Sequence, residues 1–176
     1  MKEETLRLIG RQHTVQQTID SFNLAREVGF DNINMDLIVG LPEETIEDVR
    51  ETMRQLEELD PDNITVHSLA IKRAARLRMQ KEQYENLHIE NTAQTIDLTA
   101  ECCHEMGLEP YYLYRQKNMA GNFENVGYAK PGKAGVYNIL IMEEKQTIMA
   151  LGAGATTKVV FEDGKRIERV GNVKDI

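Results

Sequence analysis

The chain has 176 residues, 41% of them hydrophobic and 28% charged, a composition typical of a folded protein with one hydrophobic core. Its net charge of −8 at pH 7 and its pI near 5.1 argue against general nucleic-acid binding. No apolar run approaches the roughly 20 residues that span a bilayer, and the polar first residues do not resemble a signal peptide. We therefore expect a cytoplasmic protein without a nucleic-acid or membrane partner.

The first clear helix signal begins at Thr14. Residues 1–13 show neither a strand pattern nor a convincing helix cap. Thr14, followed three residues later by Gln17, forms a capping-box pattern. Apolar residues then recur at helical spacing as far as Val28, and Gly29 supplies a stop signal.

The strand predicted next, Asn32–Val39, carries an unexpected carboxylate. Its apolar positions alternate and share one face: Ile33, Met35, Leu37 and Val39. Asp36 lies on the opposite face near the carboxyl end, where ligands bind in open α/β sheets and α/β barrels. A carboxylate inside a sheet needs hydrogen-bond partners. Asp36 is therefore either a ligand-binding residue or a structural one that caps a loop or pairs with an arginine.

The following residues predict alternating helices and strands. Thr45 caps a second helix with a buried apolar stripe, and Ile64–Leu69 forms a second short strand. A third helix is predicted from about Thr92 to Met106, after a densely charged segment at 71–91 that predicts a solvated, mobile excursion or lid with some helix. A helix before each strand is the rhythm of βαβ units, which predicts a parallel α/β fold.

The pattern after Pro110 predicts a β-rich part. Tyr111–Arg115 is predicted to be a strand, followed by a Gly- and Asn-rich loop at 117–133. Two hairpins are predicted after the loop: Val136–Met142 with Thr147–Leu151, and Lys158–Glu162 with Lys165–Val170 around an Asp163-Gly164 turn.

Three stretches of the sequence resemble a known family. They are N-I-N-M-D-L-I-V-G-L-P-E-E-T at 32–45, L-D-P-D-N-I-T-V-H-S-L-A at 59–70, and Y-Y-L-Y-R-Q-K-N-M-A-G-N-F-E-N-V-G-Y-A at 111–129. Together they resemble the oxygen-independent coproporphyrinogen III oxidases, which are radical S-adenosylmethionine (SAM) enzymes of haem biosynthesis. The third stretch looks like the coproporphyrinogen dehydrogenase HemZ subgroup in particular.

The resemblance implies both a fold and a reaction. Residues 1–107 would form the carboxyl-terminal units of an incomplete, TIM-like radical SAM α/β barrel, and residues 108–176 a β-rich extension beside the barrel mouth, on the substrate side. The full-length enzyme would convert two propionates of coproporphyrinogen III to vinyl groups by oxidative decarboxylation, giving protoporphyrinogen IX. SAM, a 4Fe–4S cluster and an electron donor would supply the redox chemistry, while the protein places the substrate and excludes water.

The cysteines do not fit that cluster. The family holds it with a C-x3-C-x2-C run, whereas this chain has two cysteines, Cys102 and Cys103, adjacent in a predicted helix. Neighbouring helical side chains point about 100° apart, which suits neither a shared metal nor a disulfide. The four histidines show no ligand spacing either: His13, His67, His88 and His104. We expect the cluster ligands on an amino-terminal part of a longer protein, and no activity from this chain alone.

The resemblance assigns four positions to SAM. Asp36 matches a strand-end aspartate whose carboxylate suits ribose hydroxyls, and Arg11 matches an arginine that would pair with the methionyl carboxylate. Ala70 matches a contact made through the backbone, and Lys158 stands where the family has an apolar residue near the adenine. From the residues alone, Arg11 would be interpreted as a solvated arginine at a helix entry.

The segment after the third helix predicts porphyrinogen contacts. Its candidates are Tyr112, Arg115 and Lys117, because a broad macrocycle edged by four propionates suits aromatic faces and positive charge. The alternative is ordinary strand aromatics beside surface lysines. The sequence indicates no catalytic acid or base and no metal ligand.

Two other functions stay open. Haem chaperones share this barrel, but they carry an H-N-x-x-Y-W motif where this chain has Gly121–Asn125, and the chain contains no tryptophan. The remaining possibility is a non-catalytic fragment.

Overall fold

The computed structural model describes residues 1–70, 92–114 and 123–174, apart from the side chain of Asp163. The chain divides into two compact units, Met1–Ala134 and Gly135–Ile176. The lid predicted at 71–91 and the candidates Arg115 and Lys117 lie outside the described residues.

The first unit is built on a four-stranded sheet. Its strands are β1 (Asn34–Val39), β2 (Asn63–Ser68), β3 (Glu109–Tyr114) and β4 (Asn125–Ala129). Its described helices are α1 (Glu3–Leu8), α2 (Val15–Glu27), α3 (Ile46–Leu59) and α4 (Ala93–Glu105). The strand order is β1-β2-β4-β3, with β1 and β2 parallel and the other neighbours antiparallel. The predicted βαβ unit is therefore present as β1–α3–β2.

Local side chains set the helix boundaries. The Thr14 hydroxyl accepts a hydrogen bond from the Gln17 backbone at 3.1 Å, and the Gln17 side chain accepts one from the Thr14 backbone at 2.9 Å. The same reciprocal arrangement joins Thr45 and Asp48 at the start of α3. Both pairs satisfy backbone donors that the first helical turn leaves without partners. The two helix starts predicted from sequence are confirmed.

The core lies between one face of the sheet and the helices α3 and α4. Its buried members are Leu37, Val39, Val49, Met53, Leu56, Ile64, Val66, Leu98, Cys103, Leu108 and Tyr128. Leu37 and Val39 are buried in β1 whereas Asn34 and Asp36 are exposed, which confirms the alternation predicted for this strand.

Residues 1–13 contain α1, which has no side-chain cap, in agreement with the absence of a cap signal in this stretch. Other elements differ from the sequence prediction: β4 lies within the predicted loop at 117–133. Val136–Glu143 is a helix, α5, where the strand Val136–Met142 was predicted. Its sequence VYNILIME is almost entirely apolar, so its periodicity does not distinguish helix from strand.

The second unit contains α5 and a hairpin. β5 (Thr156–Phe161) and β6 (Arg166–Gly171) pair antiparallel, which confirms the second predicted hairpin. The connection is a short 3₁₀ helix, Glu162–Gly164, instead of the predicted two-residue turn. Of the predicted strand Thr147–Leu151, only a bridge between Ile148 and Lys158 forms.

The boundary between barrel units and extension, predicted after Gly107, stays a prediction. The compact units divide after Ala134, because β3 and β4 pair with each other and β4 pairs with β2. Across the described ranges, no helix has the length and apolarity needed to cross a bilayer.

Candidate functional site

A cavity of about 620 Å³ lies in the first unit, beside β1 and the carboxyl ends of β1 and β2. This volume is within the range of about 300–1,000 Å³ that is usual for small-molecule sites. The polar residues that line the cavity include Arg11, His13, Asp36, Glu44, His67, Ser68, Tyr114 and Asn125. The apolar residues that line it include Leu6, Ile9, Met35, Ile38, Leu41 and Leu69.

Three of the four positions assigned to SAM line this one cavity: Arg11, Asp36 and Ala70. They come from three separate segments, namely the turn after α1, the middle of β1, and the residues after β2. Lys158 belongs to the second unit, where its ammonium donates to the Ile141 carbonyl at 3.1 Å and lies 3.8 Å from Glu144 Oε1.

The Asp36 carboxylate is held through one of its oxygens. Asn34 Nδ2 donates to Asp36 Oδ1 at 2.8 Å, and His67 Nε2 lies 3.5 Å from the same atom. The contact with His67 lowers the pKa of Asp36, burial opposes this, and the bond from Asn34 adds to the lowering, with a net decrease. Asp36 is therefore ionised at neutral pH.

The structural alternative proposed for Asp36 was a loop cap or a salt bridge with an arginine. Its partners are Asn34 on the same strand and His67 on the neighbouring one, and no arginine of the described residues pairs with it. The Asp36 side chain is 64% exposed, and Oδ2 accepts no hydrogen bond from the described part of the chain. Oδ2 can therefore accept hydrogen bonds from a ligand.

The other predicted side chains are arranged as follows. Arg11 is exposed at the cavity, and no carboxylate of the described ranges forms a salt bridge with it. Tyr112 is half-buried on β3, and its hydroxyl lies 3.3 Å from Thr65 Oγ1. Its neighbour on the same face, Tyr114, lines the cavity and stacks parallel to it at 6.2 Å.

Several residues of the cavity were not predicted from sequence. His67 and Tyr114 hydrogen-bond at 3.2 Å between Nδ1 and the hydroxyl. The position of His67 in β2 could have indicated it: side chains alternate along the strand, so His67 lies on the same face as Thr65, opposite the buried Ile64 and Val66. Tyr114 gave no such signal, because its contact with His67 depends on the pairing of β2, β4 and β3.

Glu44 is a further carboxyl at the cavity that sequence reasoning missed. It is buried in the turn between β1 and α3, and this burial raises its pKa. A hydrogen bond with Thr5 on α1 partly opposes that rise. Glu44 therefore links α1 to the turn that leads into α3.

The cysteines do not form a cluster site. Cys103 is fully buried in the core, and burial raises its pKa to about 12, so its thiol stays protonated. Burial also raises the pKa of Cys102. Among the described residues, no group of three or more His, Cys, Asp or Glu side chains could hold a metal ion. The residues present do not fit a 4Fe–4S cluster, whereas those of the cavity fit a SAM-sized ligand with hydroxyl and carboxylate groups.

Comparison with known proteins gives a family-model match and several curated relatives. The Radical SAM superfamily model matches residues 1–56. The chain is 45% identical over 174 residues to the oxygen-independent coproporphyrinogen-III oxidase-like protein HemZ of Bacillus subtilis (strain 168), covering 99% of this chain and 35% of that protein. It is 29% identical over 175 residues to the heme chaperone HemW of the same organism, covering 98% of this chain and 42% of the relative.

One solved structure has the same fold. It is coproporphyrinogen III oxidase (HemN) from Escherichia coli, described as a radical SAM enzyme, with a TM-score of 0.64 and 21% identity. The match covers 99% of this chain and 39% of that chain. The chain thus spans well under half the length of the relatives it matches.

Proposed function

We propose that this chain, which belongs to the radical SAM superfamily, forms the SAM-holding part of a site that oxidises a porphyrinogen. The family predicted from the sequence is confirmed by the superfamily match and by the 45% identity to the HemZ-like protein. The predicted fold, a partial α/β barrel with an extension, is confirmed by the likeness to the HemN structure.

One observation carries the proposal. Arg11, Asp36 and Ala70 were assigned to SAM from sequence, and all three border one cavity of suitable volume. A chance assignment of residues from three segments of a chain would not be expected to converge in this way.

The chemistry of each side chain supports its proposed role. Asp36 offers Oδ2 to the ribose hydroxyls, because Oδ1 is already engaged by Asn34 and His67. The exposed guanidinium of Arg11 would pair with the methionyl carboxylate in two parallel hydrogen bonds. Ala70 would contribute its backbone. The contact of Lys158 with the adenine stays a prediction from sequence.

The substrate of the whole protein is proposed from its relatives. The HemZ-like relative is named for coproporphyrinogen III oxidation, and the proposed substrate is coproporphyrinogen III, with two propionates converted to vinyl groups. SAM and an iron–sulfur cluster would supply the radical chemistry, with an electron donor that the chain does not identify. The contribution of these residues is to bind and orient SAM. The porphyrinogen contacts of Tyr112, Arg115 and Lys117 stay predictions.

A second candidate function is haem binding and delivery. It is favoured by the 29% identity to heme chaperone HemW over 98% of the chain. The sequence opposes it, because the chain has no tryptophan and no H-N-x-x-Y-W motif.

Isothermal titration calorimetry of the chain with SAM and, separately, with haem distinguishes the two functions. We expect saturable binding of SAM that weakens when Arg11→Ala removes the guanidinium, and that does not change in the control Arg166→Ala in the second unit. Saturable haem binding without SAM binding would favour the chaperone. Binding of neither would overturn the proposal and favour a non-catalytic fragment.

A further inference from the structure

Two chains of polar contacts cross the sheet face that borders the cavity, and both end on Asp36. In the first, Tyr112 on β3 contacts Thr65 on β2, and Thr65 contacts Asn34 on β1. Asn34 then donates to Asp36 Oδ1 at 2.8 Å. In the second, Tyr114 contacts His67, whose Nε2 faces the same oxygen.

The first chain has a fixed direction. The Thr65 hydroxyl donates its only hydrogen to Asn34 Oδ1 at 2.9 Å, so in its 3.3 Å contact with Tyr112 it must accept. The Tyr112 hydroxyl is therefore the donor. The Asn34 amide has its oxygen towards Thr65 and its nitrogen towards Asp36, because the reverse orientation would place two acceptors, Asn34 Oδ1 and Asp36 Oδ1, against each other.

The second chain has the same direction when His67 is neutral. An imidazole that presents Nε2–H to Asp36 has Nδ1 as its acceptor, so the Tyr114 hydroxyl donates across the 3.2 Å contact. Both tyrosine hydroxyls thus donate towards the carboxylate. Chains of hydrogen bonds aligned in this way polarise one another and favour the anion at their end.

Gly127 allows the first chain to form. β4 lies between β2 and β3, and Gly127 is paired with both Thr65 and Tyr112. A Cβ atom at this position would lie 1.9 Å from Tyr112 Cε1. The Tyr112 ring therefore lies over the glycine, which lets its hydroxyl reach a strand that is not its neighbour.

We propose that Tyr112 and Tyr114 are positioning residues that hold the Asp36 carboxylate. Tyr112 acts through Thr65 and Asn34, and Tyr114 acts through His67. Gly127 is required because any side chain there would overlap the Tyr112 ring. This inference rests on the proposed function, in which Asp36 binds the SAM ribose. It gives Tyr112 a role other than the porphyrinogen contact predicted from sequence. Burial raises the pKa of Tyr112, which keeps its hydroxyl protonated as a donor.

The test measures the pKa of Asp36 by carbon-13 NMR of its carboxyl group, in the full chain without SAM. In Tyr112→Phe and in Tyr114→Phe we expect the pKa of Asp36 to rise towards its ordinary value, because each change removes a donor from one chain. The control Tyr137→Phe removes an exposed tyrosine hydroxyl in the second unit and should leave the pKa unchanged. An unchanged pKa in both β3 variants would overturn the proposal.

The titration must separate these effects from those of other charges at the cavity. Besides Asp36, His67 and Tyr114, the titratable groups that line the cavity are the Met1 amino group and the side chains of Lys2, Arg11, His13 and Glu44. All five are retained in every variant, so a difference between variants reports the two tyrosines.

Gly127→Ala tests the same chain without altering any of its polar groups. Displacement of the Tyr112 ring should raise the pKa of Asp36 as much as Tyr112→Phe does. The double variant, Gly127→Ala with Tyr112→Phe, should show no further rise in this pKa. Additive rises would contradict the conclusion that both changes act through the same chain of contacts. Thermal melts of each variant establish that the protein is folded during the titration.

SAM affinity provides a second, separate readout. Calorimetry should show a loss of about two- to tenfold in Tyr112→Phe and in Tyr114→Phe, as expected for a neutral hydrogen bond. If the pKa of Asp36 moves but the parent chain binds no SAM, the positioning role stands and the proposed function falls. If SAM binds and the variants leave both the pKa and the affinity unchanged, the positioning role falls and the proposed function stands.

Discussion

The sheet face that α3 and α4 cover and the face that borders the cavity are formed by alternate residues of the same strands. On the covered face, Val39, Ile64 and Val66 are buried among apolar side chains. On the other face, Asn34 hydrogen-bonds to both Thr65 and Asp36, and His67 lies 3.5 Å from the Asp36 carboxylate. Because side chains alternate with a period of two, a register slip of one residue would exchange the two faces. Stability and ligand binding can therefore be altered separately by changing neighbouring residues.

The largest effect should come from the covered face. Met53 on α3 is 1% exposed and lies in the core, so Met53→Ala should lower the free energy of unfolding by about 2–5 kcal/mol. Urea denaturation measures this loss. The control Met149→Ala, at a methionine that is 72% exposed, should change stability by less than about 0.5 kcal/mol. A Met53→Ala protein that is equally stable, or that is folded but binds SAM more weakly, would contradict the separation of the two faces.

A smaller, pH-dependent effect should come from Asp62, at the amino ends of β1 and β2. Its carboxylate accepts from the Ile33 backbone at 2.9 Å and lies 2.6 Å from Arg26 Nη1. Burial raises the pKa of Asp62, but the contacts with Ile33 and Arg26 lower it by more than burial raises it. The net pKa is therefore below its ordinary value. The stability that ionised Asp62 contributes is therefore fully present above the pKa that Asp62 has in the unfolded chain. It is lost as the pH falls through the lower pKa that Asp62 has in the folded protein.

The measurement is urea denaturation of the parent and of Asp62→Asn at neutral pH and between about pH 5 and pH 2. The parent should lose more stability on acidification than the variant does. An identical pH dependence in the two proteins would show that Asp62 does not contribute. Asp36 is retained in both, so the difference does not report the cavity.

Iron–sulfur reconstitution should have no effect, because we expect no cluster to form on this chain. Cys103 is fully buried and its neighbour Cys102 points elsewhere on the same helix. Anaerobic incubation with iron and sulfide should give no visible cluster spectrum, and addition of SAM and a reductant should give no 5′-deoxyadenosine. A brown, SAM-cleaving protein would contradict the conclusion that the cysteines do not fit a cluster.

The parts of the fold that depend only on residues close together in the sequence were predictable. The caps at Thr14 and Thr45 are local, and the alternation of β1 placed Asp36 on the face opposite the core, although it lies in the middle of the strand and not near its carboxyl end. α5 was not predictable, because a short apolar run fits a helix or a strand equally well. β4 was missed because it is short, contains Gly127, and is stabilised by its partners β2 and β3.

The candidate site was predictable only in part. The assignments of Arg11, Asp36 and Ala70 came from family resemblance; Arg11 and Ala70 follow the ends of α1 and β2, whereas Asp36 lies in the middle of β1. The hydrogen bond between Tyr112 and Thr65 was not predictable, because it requires β4 to lie between two strands and a glycine at the crossing point. Contacts of this kind depend on sheet order, which no local pattern specifies.

Asp36→Asn, with SAM affinity and melting temperature measured on the same protein, shows whether the Asp36 carboxylate binds the cofactor. The change keeps the size of the side chain and removes its charge, and Asp20→Asn on the exposed face of α2 is the matched control. We predict a ten- to hundredfold loss of SAM affinity, about 1.5–3 kcal/mol for a charge-assisted hydrogen bond, with little change in melting temperature. A variant that melts much lower, yet binds SAM normally when folded, would contradict the assignment of Asp36 to the cofactor.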